Sequence, residues 1–216
     1  MKKTLSVGIT ILFVGSLWGF LEATLGGLLH LSPLPIAGKI MAPIGFTLLY
    51  WAQKNGLKAS HLFLAACLAA CFKFADVFLF NMPLFSIQII NPAQAIVMQG
   101  LCFAGLVKIF PLFDRSHAKL ATTSLVFSVH FVLSAAFSLL VFNRVMGAFD
   151  IGPLATAIHA IVGTALTAVG LFAIQWTQSR TNVWNVSRLP FAYRFAGSLA
   201  LVIIGITIRG LIGWSK

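Results

Sequence analysis

Ionisable side chains inside apolar stretches are the first candidates for chemistry in this sequence. Glu22 lies within the first apolar stretch, with Trp18 four residues before it, and Lys73 and Asp76 lie three residues apart in another. A charged group at membrane depth costs about 3 kcal/mol on insertion scales, and it usually faces a partner or a water-filled cavity. These residues therefore predict either a polar cavity for a solute or ion pairs that only hold helices together.

Lys73 and Asp76 have the spacing of neighbours on one helix face. At this spacing the ammonium and the carboxylate can neutralise each other as a structural ion pair. Alternatively, one or both line a cavity, because the outer half of their helix should lie at a depth similar to that of Glu22. Lys39, near the start of the second apolar segment, can reach the same cavity or extend its ammonium to the membrane interface.

Amide and imidazole side chains add neutral hydrogen-bonding groups. Asn91 begins the fourth apolar segment, where an exposed helix N-terminus can bind an anionic or polar group. The alternative is that Asn91 only caps the helix before Pro92. His130 lies near the middle of the fifth segment and His159 in the outer half of the sixth, and such histidines commonly bond to backbone or to Ser and Thr.

The composition places these side chains in a membrane protein. The 216 residues are 59% hydrophobic and 9% charged, and their mean hydropathy is +0.98. That is more apolar side chain than a water-facing surface tolerates. At about 20 residues for each crossing, six helices use about 120 residues and leave no room for a soluble domain. We expect a single integral membrane domain over residues 1–216, an all-α polytopic transmembrane bundle of six or seven helices.

Turn signals separate the apolar segments that supply these helices. The segments are 4–29, 36–53, 62–80, 91–110, 124–142, 151–176 and 195–214. The last segment is long enough to cross, although Arg194 and Arg209 would also suit a helix at the membrane interface.

The basic residues indicate the orientation of the chain. With the N-terminus inside, the cytoplasmic ends and loops hold ten of them, and the outer loops hold almost none, as the positive-inside rule requires. The ten are Lys2, Lys3, Lys54, Lys58, Lys108, Arg115, Lys119, Arg180, Arg188 and Arg194. This asymmetry accounts for most of the net charge of +11, so no nucleic-acid partner is needed. We expect a cytoplasmic N-terminus and the inner membrane of a prokaryote.

Small residues form a stripe on the first segment. Gly15, Gly19 and Ala23 recur every four residues, a spacing that lets two membrane helices approach closely. Such a face packs either inside the bundle or against another protein.

With this stripe, the chain looks like the substrate-binding S subunit of energy-coupling-factor (ECF) transporters. The resemblance covers nearly the whole chain and also rests on the size, the basic charge, the topology and the polar groups of the outer half. It implies a helical bundle that captures a vitamin or metal ion from outside. It also implies docking through Gly15 and Gly19 onto a membrane coupling subunit driven by two ATPases. Glycine stands where that family has an alanine pair, and a seventh segment exceeds its usual six.

We therefore expect a subunit that binds a small polar solute and passes it inward, with no catalytic residue and no cofactor. Charges of both signs favour a zwitterionic or polar organic solute, and Trp18 is placed to stack on a ring. The sequence has no nucleotide-binding motif, so a partner must hydrolyse the ATP. The predicted solute-binding residues are Glu22, Lys73, Asp76, Asn91, His159, Lys39 and Trp18.

Two other functions stay open. One is a membrane-embedded enzyme or redox protein in which Glu22, Asp76, His130 and His159 hold a metal or haem. No HExxH or CxxC motif occurs, so separate helices would have to assemble that site and the sequence does not define the metal. The other is an accessory assembly subunit whose glycine-rich helix serves complex formation and whose ion pairs only set helix register.

Overall fold

Helices make up nearly all of the chain that the structure describes. The computed structural model describes residues 2–29, 37–79, 81–110, 116–142, 153–180 and 190–214, and within these ranges it has no strand. The predicted all-α bundle is thus confirmed, with seven helices in the described ranges. They are α1 (Lys2–Leu21), continued by a π-helical turn (Glu22–Gly26) and a last α-turn (Gly27–Leu29), α2 (Ala37–Lys54), α3 (Ala59–Leu79), α4 (Ile87–Ile109), α5 (Ser116–Phe142), α6 (Pro153–Arg180) and α7 (Phe191–Trp214).

Five of the described helices are long and apolar enough to cross a membrane. Their apolar spans are Val7–Gly26, Ala59–Leu79, Ile89–Ile109, Ala121–Val141 and Thr156–Thr177. The other two helices differ: α2 has 18 residues with Pro43 inside it, and α7 has a shorter apolar part, Ala192–Ile208. The five spans identify a multi-pass membrane protein.

The short helix α2 lies inside the bundle. It contacts α1, α3, α4, α5 and α6, and within it only Gly38 and Lys54, near its two ends, are exposed. The other helices pack in a row in the order α7, α1, α3, α4, α5, α6. Because protein surrounds α2, a helix with Pro43 in it is tolerated there, where neighbouring helices can satisfy the freed backbone groups.

Helices α1, α3 and α7 run in the same direction. Residue positions advance together along each pair of helices, as they must in parallel packing. The contacting pairs are Gly15–Leu68 and Gly19–Phe72 between α1 and α3, and Thr10–Arg194, Phe13–Gly197 and Phe20–Gly205 between α1 and α7. Helices α4 and α5 are antiparallel, because Asn91 contacts Ser138 and Ala95 contacts His130.

The parallel packing of α7 on α1 predicts that Lys2 and Trp214 lie on opposite sides of the membrane, because parallel helices that cross begin on the same side. With a cytoplasmic N-terminus, alkaline phosphatase fused after Trp214 should be active and green fluorescent protein fused there should be dark. The control fusion after Arg180, at the end of α6, should show the reverse pattern. Fluorescence from both fusions would contradict the crossing and place α7 at the interface.

Candidate functional site

A buried salt bridge joins α1 to α3. Lys73 Nζ lies 3.0 Å from Glu22 Oε1, and the two side chains are 4% and 7% exposed, respectively. The pair forms because the parallel helices bring these positions to the same level. The sequence marked both residues but considered Asp76 as the structural partner of Lys73. The structure gives the Lys73 ammonium a carboxylate on a different helix.

The backbone at Glu22 departs from the α-helix. Glu22 is the first residue of the π-helical turn, whose buried members are Glu22, Ala23 and Gly26. Single π turns inside α-helices are rare and frequently occur at functional sites. The Glu22 carboxyl group lies beside Gly26, where an added Cβ would be only 3.3 Å from Glu22 Cδ. The glycine thus leaves room for the carboxylate next to its own helix.

Asp76 brings a second carboxylate close to this salt bridge. It lies about one turn beyond Lys73 on the same helix face and is 4% exposed. We call Glu22, Lys73 and Asp76 the ionic cluster. Lys39, at the start of α2, is partly buried, and the side chain of His159 lies outside the described residues.

Trp18 is packed in the core. It is 1% exposed, and its indole ring lies so close to Gly45 of α2 that a Cβ there would overlap it. The sequence predicted that this ring would stack on a bound solute. A solute could stack on the face covered by α2 only if α2 moved away.

The small-residue stripe faces α3. A Cβ on Gly15 would lie 2.7 Å from Leu68 Cδ2 and 2.9 Å from the Ala65 carbonyl oxygen, and a Cβ on Gly19 would overlap the Phe72 ring. These glycines therefore pack inside the bundle, which is one of the two arrangements expected from the sequence. Docking of a partner on them stays a prediction, and it would require α3 to give way.

A second cluster of polar side chains lies between α4 and α5. We call this cluster the α4–α5 seam, and it consists of Asn91, Gln94, His130, Ser134 and Ser138. Ser138 Oγ donates to Asn91 Oδ1 at 2.7 Å, and His130 Nε2 lies 2.9 Å from the Ala95 carbonyl oxygen. Ser134 Oγ is 3.2 Å from the same His130 nitrogen. Asn91 therefore bonds across this seam, whereas Glu22 pairs with Lys73 between α1 and α3.

The expected position of Asn91 at a helix start was wrong. Helix α4 begins at Ile87, with Ser86 at the N-cap position, so Asn91 and Pro92 lie inside the helix. Asn91 is therefore not the cap of this helix, and its contact with a solute stays a prediction. Proline in the second turn misled the boundary, because proline is most frequent in the first turn.

Arg194 is a buried cation that the sequence counted among the cytoplasmic ends and loops. It is 4% exposed, and its Nη1 donates to Thr10 Oγ1 at 2.7 Å. Helix α7 begins at Phe191 and includes Arg194 in its first turn, so the cytoplasmic position of Arg194 stays a prediction. Pro190, directly before the helix, was the available signal for that earlier start.

The contacts of the histidines and carboxylates bear on the alternative of a membrane-embedded metal or redox protein. Among the described residues, no three His, Cys, Asp or Glu side chains come together as a metal site would require. His130 instead packs between Phe46 and Phe127, with ring centroids 5.6 Å and 6.3 Å away.

Comparison of the chain with protein-family models, curated proteins and solved structures gives no match.

Proposed function

We propose that the chain is a membrane subunit that binds a small polar solute and delivers it inward with an ATP-driven partner. The observation that carries the proposal is the 3.0 Å salt bridge between Glu22 and Lys73, buried between two helices able to span a membrane. A buried ion pair is a weak source of stability, because desolvation offsets much of its Coulomb attraction. Ionisable groups inside membrane spans commonly line substrate or ion pathways.

The chemistry of the ionic cluster favours a solute that carries charges of both signs. The cationic group of such a solute can replace Lys73 on Glu22 while its anionic group takes the Lys73 ammonium. This exchange leaves no buried charge unpaired, which is the condition for binding charges in an apolar interior. Asp76, 4% exposed, offers a second carboxylate for a cationic group.

The source of energy is the second part of the proposal. The 216 residues contain no nucleotide-binding motif, so ATP hydrolysis is assigned to other subunits. Following the resemblance to ECF transporter S subunits, we propose a membrane coupling subunit and two ATPases as partners. The proposed location is the inner membrane of a prokaryote, with the N-terminus in the cytoplasm, and the solute vitamin-like or a metal ion.

An accessory assembly subunit is the second candidate. The specific observation in its favour is that the Glu22–Lys73 pair also fixes the register of α1 against α3, at the level where Gly19 meets Phe72. In that case the ionic cluster would have a structural role and no solute would bind there.

Affinity purification from the native membrane tests the proposal. The tagged protein is extracted in mild detergent, and mass spectrometry identifies both the retained proteins and the retained small molecules. The test variant is the double substitution Glu22→Gln with Lys73→Met, which removes both charges of the pair together. We expect the wild type to retain one solute and two ATPases, and the double variant to retain the ATPases with at least about tenfold less solute, equivalent to about 1.4 kcal/mol.

Other outcomes would reject or redirect the proposal. Equal recovery of solute by the double variant would remove the binding site from the ionic cluster. Partner proteins without any solute would favour the accessory subunit. A stoichiometric metal or haem without ATPases would support a membrane-embedded enzyme or redox protein.

A further inference from the structure

The hydrogen bonds of His130 define its tautomer. Its Nε2 lies 2.9 Å from the Ala95 carbonyl oxygen, and a carbonyl oxygen can only accept. Nε2 must therefore carry the proton, and the other nitrogen, Nδ1, is a lone-pair acceptor in the neutral ring. His130 is 4% exposed, and Nδ1 has no hydrogen-bond partner among the described residues.

Gln94 presents a second acceptor in the same seam. Its Nε2 lies 3.4 Å from Asn91 Oδ1 and 3.5 Å from the Ser134 carbonyl oxygen. Both neighbours accept hydrogen bonds, so the amide is oriented with its NH₂ toward them. The Gln94 Oε1 on the other side is buried and also lacks a partner in the described part of the chain.

We infer that the α4–α5 seam binds small hydrogen-bond donors, with His130 Nδ1 and Gln94 Oε1 as the acceptors. Leaving a buried acceptor unpaired loses the hydrogen bond it would make in water, and native proteins rarely leave such atoms without a protein or water partner. Both atoms that lack a partner are acceptors. The ligand must therefore supply O–H or N–H groups.

This chemistry selects the ligand class. A phosphate or carboxylate has only acceptor oxygens when ionised, so it has no hydrogen to donate to either acceptor. A water molecule, or a hydroxyl or amine group of a solute, supplies the missing donors. The seam contains no charged side chain, in contrast to the ionic cluster. The inference concerns a separate site and does not depend on the proposed function.

Solid-state NMR of the full chain in phospholipid vesicles tests this site. Val129–His130 is the only Val–His pair in the sequence, so carbonyl-¹³C valine with ¹³C,¹⁵N histidine selects the His130 backbone nitrogen and, through the labelled carbons, its ring nitrogens. We expect an unprotonated Nδ1 whose nitrogen shift shows an accepted hydrogen bond, with a cross peak from water protons that is lost in D₂O. His61, assigned by the signal that His61→Asn removes, is the control, because its Nδ1 lies 3.3 Å from the Lys58 backbone nitrogen and should show a cross peak from that amide proton.

Each result decides the question. A cross peak from water assigns the donor to an internal water molecule. A cross peak from a small molecule that washing removes assigns the donor to a solute group. A shift typical of a free lone pair, a proton on Nδ1 itself, or a cross peak from a protein hydroxyl or amide would overturn the inference.

Discussion

Substitution of Lys73 by Met is expected to lower the free energy of unfolding of the bundle by about 3–5 kcal/mol, because it leaves the Glu22 carboxylate buried without its cation. Methionine has a similar length, so the packing around α3 changes little. The loss is measured by reversible unfolding in detergent, as the shift of the midpoint at constant cooperativity. The same variant should bind the proposed solute poorly even in its folded fraction.

Two controls isolate the charge effect. Lys58→Met removes an exposed lysine and should change the unfolding free energy by less than about 0.5 kcal/mol. The double variant Glu22→Gln with Lys73→Met should recover most of the lost stability, since replacing a buried ion pair by neutral groups is often nearly neutral. A Lys73→Met variant as stable as Lys58→Met would show that the salt bridge contributes nothing to folding.

Substitution of Gly19 by Leu is expected to prevent close packing of α1 on α3. Any side chain at this position overlaps the Phe72 ring, and overpacking of a well-packed interior costs about 1–3 kcal/mol or more. Gly15→Leu should act in the same direction, because one of its contacts is the backbone oxygen of Ala65 and backbone cannot rotate away. The measurement is the folded fraction recovered by size-exclusion chromatography in detergent, followed by the unfolding midpoint.

Gly8 offers a matched control on the same helix. A Cβ at Gly8 meets nothing within 4 Å, so Gly8→Leu should fold like the wild type. If Gly15→Leu and Gly19→Leu fold normally but lose the partner proteins, the glycines dock a partner as the resemblance implies. If their folded fraction falls, any loss of partners follows from misfolding of the α1–α3 contact.

Hydropathy was sufficient to predict the helices. The predicted segments correspond to the seven described helices, because long apolar runs in a membrane chain satisfy their backbone only as helices. Helix ends were less predictable: α4 begins at Ile87 and α7 at Phe191, each four residues before its predicted start. Helix capping and proline position are short-range signals, and they compete with contacts that the sequence does not reveal.

The sequence was sufficient to predict which residues form the ionic cluster, but not which of them pair with each other. Glu22, Lys73 and Asp76 stood out because charge is rare at membrane depth. Which helices meet is a property of packing, and hydropathy carries no information about it. For the same reason, the sequence did not predict the π-helical turn at Glu22, nor that Asn91 lies in the α4–α5 seam and not in the ionic cluster.

The interior position of α2 limits how the bundle can deform. Helix α2 packs Gly45 against Trp18 and places Phe46 next to His130. Its Ala42 carbonyl oxygen accepts a hydrogen bond from Gln99 Nε2 at 2.6 Å. A translation of α2 by a fraction of an ångström would therefore change three contacts on three different neighbours at once. The neighbouring helices therefore cannot shift independently of one another, because each of them packs against α2.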